Sequence, residues 1–219
     1  MKKIAVVLAG CGVNDGSEIH EAVATLLALK RNGADYQCFA PDKPQHHVIN
    51  HAKGEETGEK RNVLVESARI ARGEIKPLDK YNPADFDGLV FPGGFGAAKN
   101  LCTFAFDGAS CTIDAQVKDA ILKTNAAGKA VGAVCIAPVV VAKAFEGSGK
   151  KVKLTIGNDP GVAGIIEGWG AKHENFPVDK ACVDMENKIF SAPAYMLAQD
   201  IAEAASGIED MVSKMIKAI

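Results

Sequence analysis

The residue whose surroundings most clearly promise chemistry is Cys135. The segment Lys129 to Phe145, KAVGAVCIAPVVVAKAF, reads as an apolar strand, then the cysteine, then a helix that opens near Pro138. A side chain at such a strand-to-helix turn projects from the carboxyl edge of a parallel sheet, where open α/β folds bind their ligands. The helix N-terminus beside it favours negative charge, so the sequence predicts a thiol with a lowered pKa and a nucleophilic role. The plain alternative is a small buried hydrophobe, the usual fate of a cysteine.

A second group lies in Val13 to Glu21, VNDGSEIHE, after the first apolar run. That turn shares the sheet's carboxyl edge, so Glu18 comes within reach of the thiol. Protonated, its carboxyl would donate a hydrogen bond to the thiolate; ionised, it would serve as a general base. Asp15 and Glu18 also have capping-box spacing, which requires no catalysis. A third group is FPGGFG, Phe91 to Gly96, where the amide of Gly93 or Gly94, with that of Ile136, would form an oxyanion hole. Taken alone it is ordinary turn chemistry.

Other patterns carry less. Gly10, Gly12 and Gly16 resemble a dinucleotide fingerprint, but the spacing is one residue too long and Asp15 and Glu18 occupy the place of the pyrophosphate. His46, His47 and His51 read as loop histidines without metal-ligand spacing, His20 reaches the site rim at most, and His173 falls in a loop. No histidine can be set beside Cys135, so no triad is defined, and neither metal nor cofactor is expected.

The elements that must position these groups alternate Val/Ile/Leu-rich runs with amphipathic stretches, the trace of βαβ units around a buried parallel sheet. Strands are expected at Lys3 to Ala9, Asp35 to Ala40, Gly88 to Phe91, Lys129 to Val134 and Lys151 to Ile156, with a later pair at Ala181 to Asp184 and Lys188 to Ser191. Helices are expected at Ser17 to Asn32, Asn62 to Arg72 and Ile113 to Ala127, each followed by glycine, then from Pro138, and within Met196 to Ile219. The polar stretch from Pro41 to Lys60 leaves the sheet and suggests a lid or an interface. One domain spanning residues 1–219 accounts for this pattern.

Composition narrows the function classes. Lys plus Arg number 25 against 27 Asp plus Glu, which excludes the basic excess of a nucleic-acid binder. No run reaches the length of a membrane span, and the apolar start ends at Gly10, too early for a secretory signal. Cys11, Cys38, Cys102, Cys111 and Cys182 are scattered among aliphatic residues, as in a protein of a reducing, cytoplasmic compartment.

The glutamate in DGSEIHE, the FPGGFG turn and the cysteine elbow together resemble the ThiJ/PfpI branch of the class I glutamine amidotransferase-like superfamily. CGVNDGSEIHEAV, HHVINHAKGEETGEKRNVLVESARIARGEI, FPGGFGAAKNL, CIAP and SAPAYMLAQDIAEAASGI further resemble the isoprenoid-biosynthesis glyoxalase ElbB family over nearly the whole chain. The resemblance implies a flavodoxin-like three-layer α/β sandwich with a mainly parallel sheet, Cys135 as nucleophile and Glu18 as its acidic partner. It also implies glutathione-independent conversion of glyoxal to glycolate, with methylglyoxal as a further small 1,2-dicarbonyl aldehyde substrate, in a homo-oligomer, expected to be a dimer. Many superfamily members have His after the nucleophile where this chain has Ile136, which weakens a peptidase or amidotransferase reading. Deglycase activity and a redox-sensing or binding role of Cys135 are the competing readings.

Overall fold

A computed structural model describes residues 1–219. The first half contains β1 (Lys3–Val7), α1 (Ile19–Arg31), β2 (Asp35–Ala40), a small hairpin of β3 (Ile49–Asn50) and β4 (Glu55–Glu56), α2 (Val63–Ile70), β5 (Ile75–Pro77) and β6 (Gly88–Phe91). The second half contains α3 (Phe104–Asp107), α4 (Ala115–Ala126), β7 (Ala130–Val134), α5 (Pro138–Phe145), β8 (Lys153–Leu154), α6 (Pro160–Gly168), β9 (Lys172–His173), β10 (Cys182–Asp184), β11 (Ile189–Ala192) and α7 (Ile201–Lys217).

Seven strands form one sheet in the order β10-β11-β7-β6-β1-β2-β5. Every pairing is parallel except the edge hairpin β10–β11. The central strands are apolar on both faces because both are covered. Ala5 and Val7 of β1 and Leu89 and Phe91 of β6 face a core shared with α4 and α5, whereas Ile4, Val6 and Val90 face α1 and α7. The result is the expected three-layer sandwich with mainly parallel strands.

Helix starts follow side-chain chemistry. Asn62, Asp114, Asp159 and Asp200 cap α2, α4, α6 and α7 by accepting backbone amides. The capping box expected between Asp15 and Glu18 does not form. Glu18 itself caps α1, accepting the Glu21 amide at 2.7 Å, so the helix begins at Ile19.

Several elements depart from the sequence reading: the β3–β4 hairpin and α3 went unread, and His173, expected in a loop, lies in strand β9. Within Lys151 to Ile156 only β8 is a strand, and it pairs with β9 outside the main sheet. Thr155 N–H donates to Ser191 Oγ at 2.9 Å, a side-chain contact that ends further pairing there. The edge strand β5 and helix α6 went unread: β5 is three residues long and ends in Pro77, and α6 holds Gly161, Gly164 and Gly168, which weaken the helical signal.

Candidate active site

The parallel pairing of β1, β6 and β7 brings their three following turns to one edge of the sheet. β7 stops at Val134, and Cys135 adopts φ +60°, the left-handed region that costs a side-chain-bearing residue roughly 1–2 kcal/mol. Its amide still donates to Ala192 O at 2.9 Å, so β11 holds the elbow from one side. Pro138 then opens α5. A strained, non-glycine conformation at the mouth of the sheet is the backbone signature of a presented nucleophile.

The groups around the thiol differ from the expected set. The amides of Gly94 and Ile136 face the Cys135 sulfur, as anticipated for an oxyanion site. The Gly93 backbone lies instead against a carboxylate, that of Glu21. Glu21 is fully buried; its Oε1 accepts the Tyr195 amide at 3.1 Å, while Oε2 has no hydrogen-bond partner and lies on the Cys135 side, where the thiol is its neighbour. A Cβ at Gly93 would overlap both Glu21 Oε2 and Cys135 Cβ, so only glycine lets the two groups meet.

The direct acidic partner of Cys135 is therefore Glu21, and Glu18 sits one helical turn earlier. Glu18 is mostly buried, spends Oε2 on the Glu21 amide, and has Oε1 3.9 Å from His20 Nδ1. Side chains three apart share a helix face. The spacing that made Glu18 conspicuous thus marks Glu21 as well. The missed signal was positional: on α1 Glu21 falls in the buried stripe with Ala22, Thr25, Leu26, Ala28 and Leu29, where an uncompensated carboxylate is anomalous.

Burial also reverses the expected titration. The Cys135 thiol is raised well above its ordinary value, mainly by desolvation and then by the negative charge of Glu21, which outweigh the Gly94 and Ile136 amides. Glu21 is raised to about 7, again chiefly by burial. At neutral pH the thiol holds its proton, and the carboxyl beside it is poised to exchange one.

The glycines of the first turn have a structural task. A Cβ at Gly16 would strike the Cys11 amide and one at Gly96 would strike Gly16, while Gly94, at φ +97°, lies against the Glu18 amide. The turns after β1 and β6 are joined backbone to backbone by Glu18 N–H to Gly93 O at 2.9 Å and Gly96 N–H to Gly16 O at 2.8 Å. This tight seam, rather than a pyrophosphate, explains GCGVNDG.

A cavity of about 420 Å³ opens over Cys135, bounded by Glu18, Gly94, Phe95, Ile136 and Tyr195 among others. No histidine lines it. His20 stands behind Tyr195, with Nδ1 2.8 Å from the phenol oxygen. His46 stacks on Phe106 at 4.0 Å, and His51 accepts the Asn14 amide at 3.1 Å through Nε2. His173 is buried and accepts the Ile156 amide at 3.2 Å.

No family model matches the chain. It is 47% identical over 225 residues to the human glutamine amidotransferase-like class 1 domain-containing protein 3, mitochondrial, covering 98% of this chain and 82% of that protein. Against the rat ES1 protein homolog, mitochondrial, it is 45% identical, covering 98% of this chain and 83% of that one. An isoprenoid biosynthesis protein with amidotransferase-like domain from Ehrlichia chaffeensis superposes with TM-score 0.92 at 43% identity, covering 99% of this chain and 100% of that one. The Drosophila melanogaster DJ-1beta shares the fold alone, at TM-score 0.55 and 16% identity over 99% of this chain and 94% of that one. The cytoplasmic expectation gains nothing from relatives named as mitochondrial; in this chain no helix is long and apolar enough to cross a membrane. The chain belongs to the glutamine amidotransferase-like class 1 domain family that includes the ES1 protein homologs, built on the DJ-1/ThiJ/PfpI fold.

Proposed function

We propose that this protein is a cofactor-independent, glutathione-independent glyoxalase of the ElbB type, with Cys135 as nucleophile. The observation that carries the reading is a buried, unpartnered Glu21 oxygen set beside Cys135, beneath a cavity large enough for a dicarbonyl. Glu21 accepts the thiol proton as sulfur adds to one carbonyl carbon of glyoxal, and the new oxyanion is held by the Gly94 and Ile136 amides and then protonated. Removal of the proton on that carbon gives an enediol, and a proton returned to the second carbon gives the thioester of the hydroxy acid. Water cleaves the thioester, releasing glycolate and the thiol. One carbon is oxidised and its neighbour reduced, so no external oxidant is required. Glu18, in the cavity wall, serves as the second carboxylate available for the carbon-to-carbon transfer.

A redox-sensing role would modify Cys135 once per chain, whereas an enzyme consumes many aldehydes. Deglycase activity would use the same sulfur adduct on a glycated amine. The test is glycolate formation from glyoxal without glutathione by wild type and Cys135→Ala at equal folded concentration. Many turnovers in the wild type and none in the variant support the reading; equal or absent turnover refutes it.

A further inference from the structure

The wall of the cavity is poorly matched to glyoxal itself. Apart from Glu18, the Gly94 backbone, the Cys135 thiol and the Tyr195 phenol, it is built from hydrophobic side chains, among them Val13, Phe95, Ala98, Phe104, Val162 and Met196. Glyoxal, with two carbons and two oxygens, displaces the volume of about three waters, ~90 Å³ at ~30 Å³ each. That is a small part of the roughly 420 Å³ available. It is also polar on every atom, so it cannot use the apolar wall.

The Gly94 and Ile136 amides and the Glu21 carboxyl converge on Cys135, while Glu18 and Tyr195 stand toward His20. Phe104 of α3 and Val162 of α6 are contributed by segments that bear no catalytic group, and both rest on the hydrophobic core beneath them. Phe104 is further fixed edge-on against Trp169 at 6.0 Å between ring centres. A polar reaction centre with a supported apolar chamber beside it is the form of a site that holds a reacting head and an apolar tail.

We propose that the preferred substrates are 2-oxoaldehydes bearing an apolar substituent, R–CO–CHO with R aryl or branched alkyl, and that Phe104 and Val162 set this preference. The inference rests on the glyoxalase reading for its chemistry. The sulfur adds to the aldehyde carbon, the hydrogen on that carbon leaves as a proton and one is returned to the R-bearing carbon. Water then releases R–CH(OH)–COO⁻ and regenerates the thiol, so R–CO–CHO and water give the hydroxy acid without net oxidation. The substituent adds binding that persists in the transition state, because R neither breaks nor forms a bond.

The test compares kcat/KM for glyoxal, methylglyoxal and phenylglyoxal in wild type, Val162→Asp and the nearly isosteric Val162→Thr. Phenylglyoxal is expected to exceed methylglyoxal by about tenfold or more, the scale of burying a small apolar group in a fitted pocket. Val162→Asp should remove most of that advantage, read as the phenylglyoxal-to-methylglyoxal ratio, and Val162→Thr should lower the ratio partially, a result that stands even where the aspartate variant fails to fold. A flat or falling series in the folded wild type overturns the proposal.

A second readout separates this failure from failure of the glyoxalase reading. The alkylation rates of Cys135 by N-phenylmaleimide and N-methylmaleimide, each normalised to free glutathione and followed on the Cys135 peptide by mass spectrometry, probe the chamber without turnover. If no dicarbonyl is consumed, a phenyl-to-methyl ratio of about ten or more still supports an apolar-substituent site. A ratio near or below one overturns it and leaves the chamber to another occupant, such as a side chain of a second copy.

Discussion

At the scale of single residues, the site sets a thiol beside a carboxyl where burial raises both above their ordinary values. Because the charge of Glu21 helps to hold the Cys135 proton, Glu21→Gln should move the pH midpoint of Cys135 alkylation downward even as turnover falls. An upward shift would mean that a protonated Glu21 stabilises the thiolate. The same burial has a cost to the fold. Glu21 titrates near 7 in the folded chain against an ordinary value of 4.5, so its folded form binds protons more tightly than its unfolded form. The penalty is absent below about pH 4.5 and complete above about pH 7, roughly 3 kcal/mol at ~1.4 kcal/mol per unit. Glutamine keeps the acceptor for the Tyr195 amide, so Glu21→Gln should raise the melting temperature at pH 8 and lose that advantage at pH 5. Cys135 was legible in the sequence because a strand, a cysteine and a proline-opened helix define an elbow locally. Glu21 was not, because what marks it is burial, and burial comes from α7 and β7 packing on α1 from far along the chain.

At the scale of elements, the two glycine-rich turns act as one part. Their seam fixes where Glu18 and Glu21 enter α1 relative to the Gly94 amide. Gly96 has an ordinary helical φ of -60°, so Gly96→Ala tests contact alone: its Cβ would overlap Gly16 without any conformational strain. We expect a loss of about 3 kcal/mol in urea unfolding and a matching loss of activity. Retention of both would show that the seam can open at little cost. The main strands and the helices with Asn or Asp caps were legible, since periodicity and capping are local. β5 and β9 were not, because three-residue and two-residue strands owe their existence to neighbours rather than to pattern.

At the scale of the molecule, residues 41–60 are neither core nor lid. None of them lines the cavity; they brace the turn after β1 from behind. Asp15 Oδ2 accepts the Ile49 amide at 2.6 Å, and Asn100 Oδ1 accepts the His46 amide at 3.0 Å while its Nδ2 donates to Ala9 O and Asp15 O. Asn100 thus ties the excursion to the site's own turn. Asn100→Ala should leave two buried carbonyls without that donor, at about 2 kcal/mol, and speed amide exchange across residues 45–50 at least about tenfold. Unchanged exchange there would contradict the bracing role. Which carboxyl serves the thiol decides the chemistry of the whole site. The most direct measurement is kcat/KM for glyoxal in folded Cys135→Ala, Glu21→Gln and Glu18→Gln side by side. Loss of all turnover in the first, a loss of about 100-fold or more in the second and about tenfold or less in the third is the predicted result. Turnover surviving in Cys135→Ala, or Glu18→Gln falling as far as Glu21→Gln, would contradict it.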